Sequence, residues 1–181
     1  MTSEIASIRP STPADAAALA AIYGWHVAHG TGTFELDPPS PAEMARRRDA
    51  VVSAGLPWLV AERAGEVVGF AYANQFRPRG AYRHCLEDSV YLADGARGQG
   101  LGTRLLTEVL ALAEARGARQ VLAMVGDSAN TRSIAPHRRL GVEHTGLVKA
   151  AGWKFGAWRD VVVMQRTLGA GDTTPAEAPA A

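Results

Sequence analysis

The sequence has very little cysteine: Cys85 is the only one among 181 residues. One thiol cannot form an intramolecular disulfide, and it cannot supply a cysteine-rich zinc or iron–sulfur cluster. A chain without such a framework is typical of a reducing compartment, so we expect this protein in the cytoplasm.

The sequence also lacks an excess of charge of either sign, and it lacks long apolar runs. Nineteen Lys and Arg residues against eighteen Asp and Glu leave a net charge of +1 at pH 7, too little for a broad positive field, so we expect no nucleic-acid partner. No apolar run approaches the roughly 18 residues of a membrane span. Residues 1–10 lack a basic end followed by an apolar segment, so we expect neither a membrane partner nor export.

The composition that remains is that of an ordinary globular domain. Hydrophobic residues make up 47% of the chain and charged residues 20%, which is enough to build a core. The length predicts one domain, which we place at residues 1–168. Residues 169–181 contain no aromatic residue, valine or isoleucine, and we expect a disordered C-terminal tail.

Capping signals predict four helices. Pro13 follows a threonine, and Ser40 with Glu43 reads as a capping box, so helices are expected from Pro13 and from residue 41 to about 55. Leucines and a valine at helical spacing predict a third helix over 101–116, followed by a glycine cap. A short fourth helix is expected over 130–140.

Between the helices lie strand-like runs rich in aliphatic and aromatic residues. Residues 64–66 read as a hairpin turn between two of them. The strand over 85–92 places Glu87 on one face and Asp88 on the other, because side chains alternate along a strand. The predicted strands cover residues 5–9, 58–63, 67–74, 85–92, 120–125, 143–148 and 160–166.

A glycine-rich turn stands between the strand over 85–92 and the third helix. Its residues are Arg97, Gly98, Gln99, Gly100, Leu101 and Gly102. Free amides and the positive dipole end of a helix attract phosphate groups, and glycine lets them approach the backbone. Thr103 and Leu105 stand where a dinucleotide fingerprint needs glycine, and the lysine of an ATP-binding loop is missing. A turn that binds no ligand is the alternative.

This turn resembles the pyrophosphate-binding signature of the GNAT superfamily of N-acetyltransferases. Four further segments, at 82–84, 87–92, 130–134 and 152–158, are similar to the phosphinothricin and methionine sulfoximine acetyltransferase branch, and the likeness extends over residues 8–168. The resemblance implies an α/β GNAT-type acyl-CoA N-acyltransferase fold, with a mixed, mostly antiparallel sheet and helices on both faces. It also implies acetyl-CoA as co-substrate and a homodimer.

The resemblance further implies which residues bind the coenzyme. The residues expected to bind acetyl-CoA are Val90, Tyr91 and Leu92 on the strand, Arg97 to Gly102 in the turn, and Asn130 and His137 near the sulfur. His26 and His29 share a helix face, but no third ligand accompanies them, so we expect no metal. Pro136 departs from the family pattern inside the fourth helix, so a kink there would disturb His137.

Acetyl transfer to an amine requires a base and a proton source. Glu87 is the expected base, and the family's matching glutamate has that role; a salt-bridged surface carboxylate is the alternative. His137 is the expected acid for the thiolate, with water as the other source. Asp88 points to the opposite face and is given no catalytic role. His84 and Cys85 are strand neighbours that face apart, so direct transfer in a ternary complex is expected.

Three arginines just upstream of Glu87 predict an acceptor that carries an anionic group. Arg77 and Arg83 are the expected contacts, with Arg79 beside them; an exposed basic loop is the alternative. The resemblance adds Phe34, Glu35 and Lys154 to the acceptor pocket. We therefore expect N-acetylation of a small amino-acid analogue such as phosphinothricin, methionine sulfoximine or methionine sulfone. The alternatives are a protein N-terminus or polyamine as acceptor, and a non-catalytic regulatory domain that binds acetyl-CoA.

Overall fold

A computed structural model describes residues 6–176 of the chain and contains one seven-stranded sheet. The strands lie in the order β1-β2-β3-β4-β5-β7-β6, and every neighbouring pair is antiparallel except β4 and β5. Their bounds are β1 Ser7–Pro10, β2 Trp58–Arg63, β3 Glu66–Gln75, β4 Cys85–Leu92, β5 Gln120–Gly126, β6 Glu143–Lys154 and β7 Ala157–Thr167.

Helices cover both faces of this sheet. Their bounds are α1 Ala16–His29, α2 Pro41–Ser53, α3 Leu101–Ala115 and α4 Thr131–Arg139. Alternation along β2 separates two apolar layers: Trp58 and Val60 pack in a cluster with α1, whereas Leu59 and Ala61 pack with α3. The prediction of a mixed, mostly antiparallel sheet between helices is confirmed.

The sheet divides between its only two parallel strands. β4 and β5 are paired from Cys85 with Gln120 to Asp88 with Ala123, and beyond that pair both strands continue without bonding to each other. A gap therefore opens in the middle of the sheet, with its apex at Asp88. Two inner strand edges face this gap, and their peptide groups are available to a ligand.

Most predicted elements are confirmed, and the largest correction concerns the last hairpin. β6 and β7 extend well beyond the predicted 143–148 and 160–166 and meet at a two-residue turn. Phe155 and Gly156 form that turn with φ of 52° and 70°, a left-handed conformation that glycine adopts easily. The predicted first strand over 5–9 is observed at Ser7–Pro10, and residue 5 lies outside the described residues.

One helix cap and one helix interior also differ from expectation. The Ser40 hydroxyl accepts the Glu43 N–H at 3.2 Å, but the Glu43 carboxylate bonds Arg46 and Arg47 instead of returning to Ser40, so only half of the predicted box forms. The fourth helix runs without interruption from Thr131 to Arg139 across Pro136.

The segment after β7 is partly described. Residues 169–176 lie in turns and loops, where Arg119 donates hydrogen bonds of 3.1 Å to the Gly171 carbonyl and the Thr174 hydroxyl. Residues 177–181 lie outside the described residues, so the division into a 1–168 domain and a 169–181 tail stays a prediction. None of the helices within residues 6–176 is long and apolar enough to cross a membrane.

Candidate active site

The glycine turn lies between the end of β4 and the start of α3. Gly98 and Gly100 have φ of 76° and 74°, so any side chain there would strain the backbone. Gly100 precedes the first residue of α3, and the amides that open this helix have no intrahelical acceptor. A Cβ on Gly98 or Gly100 would meet nothing within 4 Å, so open space faces the backbone. This turn can accept an anion.

The two polar side chains of the turn are held by the protein. Arg97 forms an ion pair with Asp94, and its guanidinium lies 3.9 Å from the centre of the Trp25 ring. Gln99 accepts a hydrogen bond from Arg63 at 2.6 Å and does not contribute to the cavity below. Backbone groups of the turn, rather than the Gln99 side chain, therefore face a ligand.

The peptide groups at the end of β4 face the gap. The Ala93 N–H donates to the Val68 carbonyl at 2.9 Å, and bonded pairs alternate with non-bonded pairs in an antiparallel ladder. Tyr91 therefore exchanges its backbone bonds with β3, while Val90 and Leu92 direct theirs away from it. Of the three strand residues expected to bind acetyl-CoA, two have peptide groups oriented for that contact.

One of these groups is already occupied by α1. The Nε2–H of His26 donates to the Leu92 carbonyl at 2.9 Å, and the ring stands edge-on to Tyr91 at 5.3 Å. Burial lowers the pKa of His26, so the ring is neutral at pH 7 and its single N–H bond is used here. The Leu92 N–H and both Val90 peptide groups remain for a ligand.

A cavity of about 750 Å³ joins these features. It runs from the glycine turn along the gap to the apex, and α4 closes its far side. Among the predicted coenzyme residues, its wall contains Val90, Tyr91, Leu92, Arg97, Gly98, Gly100, Leu101, Gly102, Asn130 and His137. The residues present thus fit an elongated ligand with an anionic end, such as acetyl-CoA.

Asn130 begins the helix that closes the cavity. Its side-chain oxygen accepts the Ser133 N–H at 3.3 Å, and its amide nitrogen donates to the Gly126 carbonyl. The side chain therefore caps α4 and joins it to β5 while contributing to the cavity wall.

His137 is buried on the inner side of α4 and bonded through both ring nitrogens. Nδ1 lies 2.7 Å from the Ser133 carbonyl, and Nε2 lies 3.0 Å from Oδ1 of Asp88, whose side chain has no exposed surface. Burial alone would lower the pKa of His137, but the bond and charge of Asp88 outweigh it and raise the pKa. Asp88, given no role from the sequence, is thus part of the site.

Glu87 lies on the other face of β4, outside the cavity wall. It is half-buried, and no side chain in residues 6–176 donates a hydrogen bond to its carboxylate. Burial raises the pKa of Glu87 above the usual 4.5, while the charge of Arg77 acts in the opposite direction. A partly desolvated carboxylate without a fixed partner is suited to accept a proton.

The arginine-bearing loop borders Glu87. The Arg77 guanidinium lies 4.4 Å from the centre of the Phe76 ring, and Gln75 holds the loop by donating to the carbonyls of Arg77 and Arg79. Arg77, Arg79 and Arg83 are all exposed. The loop therefore presents cations beside Glu87 on a backbone held by hydrogen bonds.

The predicted acceptor residues on other elements hold the loop between α1 and α2. The Phe34 ring fills the space over Gly152, where a Cβ would lie only 2.5 Å from it. Glu35 forms an ion pair with Arg47 at 2.7 Å and accepts the Tyr23 hydroxyl. Lys154 is buried and donates to the Thr33 carbonyl at 2.8 Å, and burial lowers its pKa.

No metal-binding cluster occurs among residues 6–176, since no three His, Cys, Asp or Glu side chains converge there. His26 bonds the Leu92 carbonyl, and His29 bonds the Trp25 carbonyl at 3.0 Å. The two histidines therefore serve protein contacts.

Comparison with known proteins agrees with this geometry. The phosphinothricin N-acetyltransferase of Alcaligenes faecalis is 52% identical over 160 residues, which cover 88% of this chain and 81% of that protein. The L-methionine sulfoximine/L-methionine sulfone acetyltransferase of Pseudomonas paraeruginosa is 40% identical, covering 90% of this chain and 95% of that protein.

A solved structure is similar over nearly the whole chain. It is that of a GNAT superfamily phosphinothricin acetyltransferase from Sinorhizobium meliloti in complex with AcCoA, with a TM-score of 0.92, 44% identity, and coverage of 96% of this chain and 94% of that one. The model of the acetyltransferase (GNAT) family matches residues 19–142. Together with the split sheet and the glycine turn, these matches show that the chain belongs to the GNAT family of acetyltransferases.

Proposed function

We propose that this N-acetyltransferase transfers the acetyl group of acetyl-CoA to the amino group of a small amino-acid analogue. Phosphinothricin, methionine sulfoximine and methionine sulfone are the leading acceptors. The observation that carries the proposal is the gap between β4 and β5, which has an anion-accepting turn at one end and an unpartnered carboxylate, Glu87, on the opposite face of the strand. The names of the relatives support this acceptor class.

The residues divide into a donor side and an acceptor side. On the donor side, the amides of the glycine turn hold the diphosphate, and the free peptide groups of Val90 and Leu92 hold the arm and polarise the reacting carbonyl oxygen. Bound there, acetyl-CoA supplies an activated acyl group as a thioester. On the acceptor side, Arg77 and Arg83 bind the anionic group of the amino-acid analogue through charge-assisted hydrogen bonds.

Glu87 acts as the base. The acceptor amine is protonated at neutral pH, and it becomes a nucleophile only when a proton is removed. The carboxylate of Glu87 takes that proton, directly or through water, and its raised pKa brings its basicity closer to neutrality. Ser89, which shares the face of Glu87 and also contributes to the cavity wall, marks where the two sides meet.

The proton for the departing thiolate comes from water in this proposal. His137 is the other proton source that the sequence allows. Its two ring nitrogens face the Ser133 carbonyl and the Asp88 carboxylate, so neither nitrogen is directed at a ligand in the cavity. Its place in the cavity wall supports a position for His137 beside the bound coenzyme.

Thiol release from acetyl-CoA with a panel of acceptors tests the function. The panel contains phosphinothricin, methionine sulfoximine, methionine sulfone, spermidine and a peptide with a free N-terminus. We expect the highest kcat/KM with the first three. If only the peptide or spermidine is acetylated, a small amino-acid analogue is not the acceptor, and the proposed acceptor class is wrong. Binding of acetyl-CoA without transfer to any acceptor would favour the regulatory alternative.

We also propose a cytoplasmic homodimer. The cytoplasmic assignment rests on the single thiol. The dimer is supported by the turn between β6 and β7, where Trp153, Phe155 and Trp158 are 56%, 52% and 65% exposed. Aromatic side chains grouped in this way typically mark an interface.

Sedimentation of the wild type and of Trp158→Ser tests the dimer. We expect a dimer for the wild type and a shift toward monomer in the variant, because the substitution removes exposed aromatic surface from the interface. Val52→Ser, which alters an exposed residue of α2 on the part of the sheet away from this turn, is the control and should remain dimeric. A wild type that sediments as a monomer would contradict the proposal.

A further inference from the structure

Two arginines of the cavity wall have no acidic partner in the part of the chain that the structure describes. Arg132 and Arg139 lie on α4, contribute to the wall and have exposed side chains. Neither guanidinium forms an ion pair or a hydrogen bond within residues 6–176. Arg97, the third arginine of the wall, is paired with Asp94. The cavity therefore offers a ligand two positive charges that the described residues leave unbalanced.

The spacing of these two arginines places them together at the mouth of the cavity. At 3.6 residues per turn, Arg132, Pro136 and Arg139 lie within about 60° of one another around the axis of α4. His137 is buried on the inner side of the helix, and Ile134 packs in the core cluster beside β5. The two arginines therefore lie on the side of α4 that points away from the sheet, at the exposed rim of the cavity.

The surface between the two arginines can accept a compact anion. Their Cα atoms are seven residues apart, about 10.5 Å along the helix axis. Ala135 and Pro136, which have short side chains, contribute to the wall between them. Among the described residues of the wall the only acidic one is Asp88, and its side chain is fully buried. An anion at this place would meet a guanidinium on either side and no exposed carboxylate.

Coenzyme A has a charged group that matches this place. It carries a diphosphate and, on its ribose, a separate 3′-phosphate. The proposed function, on which this inference rests, places the diphosphate on the amides of the glycine turn and directs the sulfur into the gap. The 3′-phosphate is the remaining charged group, and it belongs to the nucleotide end, outside the gap. A phosphate monoester carries a charge of about −1.5 to −2 at pH 7, which two guanidiniums balance.

We propose that Arg132 and Arg139 form a subsite for the 3′-phosphate of coenzyme A and make the enzyme select coenzyme A over the form that lacks this phosphate. Arginine suits this role because its planar guanidinium donates parallel hydrogen bonds to two phosphate oxygens. The 3′-phosphate takes no part in acetyl transfer, so the subsite binds substrate and transition state equally. It therefore lowers the KM for acetyl-CoA and leaves kcat unchanged.

Isothermal titration with coenzyme A and 3′-dephospho-coenzyme A tests this selection without turnover. We expect the wild type to bind coenzyme A about 10- to 30-fold more tightly, because two charge-assisted contacts at an exposed rim are lost with the phosphate. Arg132→Ala and Arg139→Ala should each reduce this preference about 3- to 5-fold. The double variant should bind the two ligands equally, and its affinity for 3′-dephospho-coenzyme A should equal that of the wild type.

Steady-state kinetics gives a second readout. With acetyl-CoA, the double variant should have its KM raised by about 10- to 30-fold and its kcat unchanged, the pattern of lost uniform binding. With acetyl-3′-dephospho-coenzyme A, the wild type and the double variant should have the same KM. Both side chains are exposed, so neither substitution should prevent folding.

Arg138→Ala is the matched control, because it removes the same charge from the same helix. Arg138 is exposed but does not contribute to this cavity wall, and it lies about 100° or more around the helix from both arginines. The preference for coenzyme A should persist in this variant. A loss as large as that in Arg132→Ala would overturn the subsite, because the effect would then belong to the net charge of α4.

Two further results would overturn the subsite: equal affinities of the wild type for the two ligands, and an undiminished preference in the double variant. A wild type that binds neither ligand would instead overturn the proposed function. The two failures are therefore distinguishable in one set of titrations.

Discussion

Two neighbouring carboxylates on β4, Glu87 and Asp88, are in opposite chemical situations. The Asp88 side chain is completely buried, and Oδ1 is bonded to Nε2 of His137. Glu87 is half-buried, and its pKa is raised because burial is only partly offset by the charge of Arg77. Alternation along the strand causes this difference, because it directs the Asp88 side chain to α4 and the Glu87 side chain to the arginine-bearing loop. The comparison teaches that burial with a partner fixes a charge, whereas burial without one prepares a carboxylate to take a proton.

The largest expected effect is a loss of turnover when Glu87 is replaced. Glu87→Gln should lower kcat by about 10²- to 10⁴-fold, the usual contribution of a general base, and leave the affinity for coenzyme A unchanged. Steady-state kinetics with thiol detection and calorimetric titration measure the two quantities. Full turnover in Glu87→Gln at neutral pH would end the assignment of Glu87 as the base.

The next largest difference between Asp88 and Glu87 is expected in their contributions to the free energy of unfolding. His137→Phe leaves Asp88 as an unpaired buried charge, and loss of one partner of a buried pair costs about 3–5 kcal/mol of unfolding free energy. Glu87→Gln should change that free energy by less than about 0.5 kcal/mol, because no residue in 6–176 donates a side-chain hydrogen bond to Glu87. Urea unfolding of both variants at pH 6 measures the difference, and equal effects would contradict the comparison.

The pH dependence of the same experiment has a defined sign. Because the pKa of His137 is raised in the folded protein, the contribution of the pair is fully present below the usual pKa of 6.5 and is lost as the pH rises through the raised value. The stability difference between wild type and His137→Phe should therefore narrow in alkaline solution. A difference that grows with pH would show that the pair is not an ion pair.

The smallest effect concerns the cation beside Glu87. Arg77→Ala should raise the KM for the acceptor about tenfold, the loss of one charge-assisted hydrogen bond. It should also move the acidic limb of the pH–rate profile to higher pH, because Arg77 lowers the pKa of Glu87. Arg79→Ala removes the same charge from the same loop and should leave the limb in place. If both variants move it equally, the effect belongs to the net charge of the loop.

Local patterns in the sequence predicted the framework of this site well. The strand at Cys85–Leu92 has the predicted bounds, and alternation alone placed Glu87 and Asp88 on opposite faces. The glycine turn was located because left-handed backbone and close approach to a ligand both require glycine. These features depend on residues adjacent in the chain, so they are visible without a structure.

Contacts between distant residues could not be predicted in the same way. Asp88 and His137 are 49 residues apart, and His26 bonds a carbonyl 66 residues away. The side chain of Lys154 reaches the Thr33 carbonyl 121 residues away. No spacing rule links such positions, because they meet only after helices pack on the sheet. The sequence therefore predicts a role for Glu87 and none for Asp88.

The gap between β4 and β5 also has a consequence for the protein when no coenzyme is bound. Strand edges with unpaired N–H and C=O groups are the usual starting points for aggregation, and natural sheets shield them at their margins. Here two such edges lie in the middle of the sheet. A coenzyme arm that lines these edges would act as a removable eighth strand, so we expect the abundance of the coenzyme in the cell to govern how long the enzyme survives as well as how fast it works.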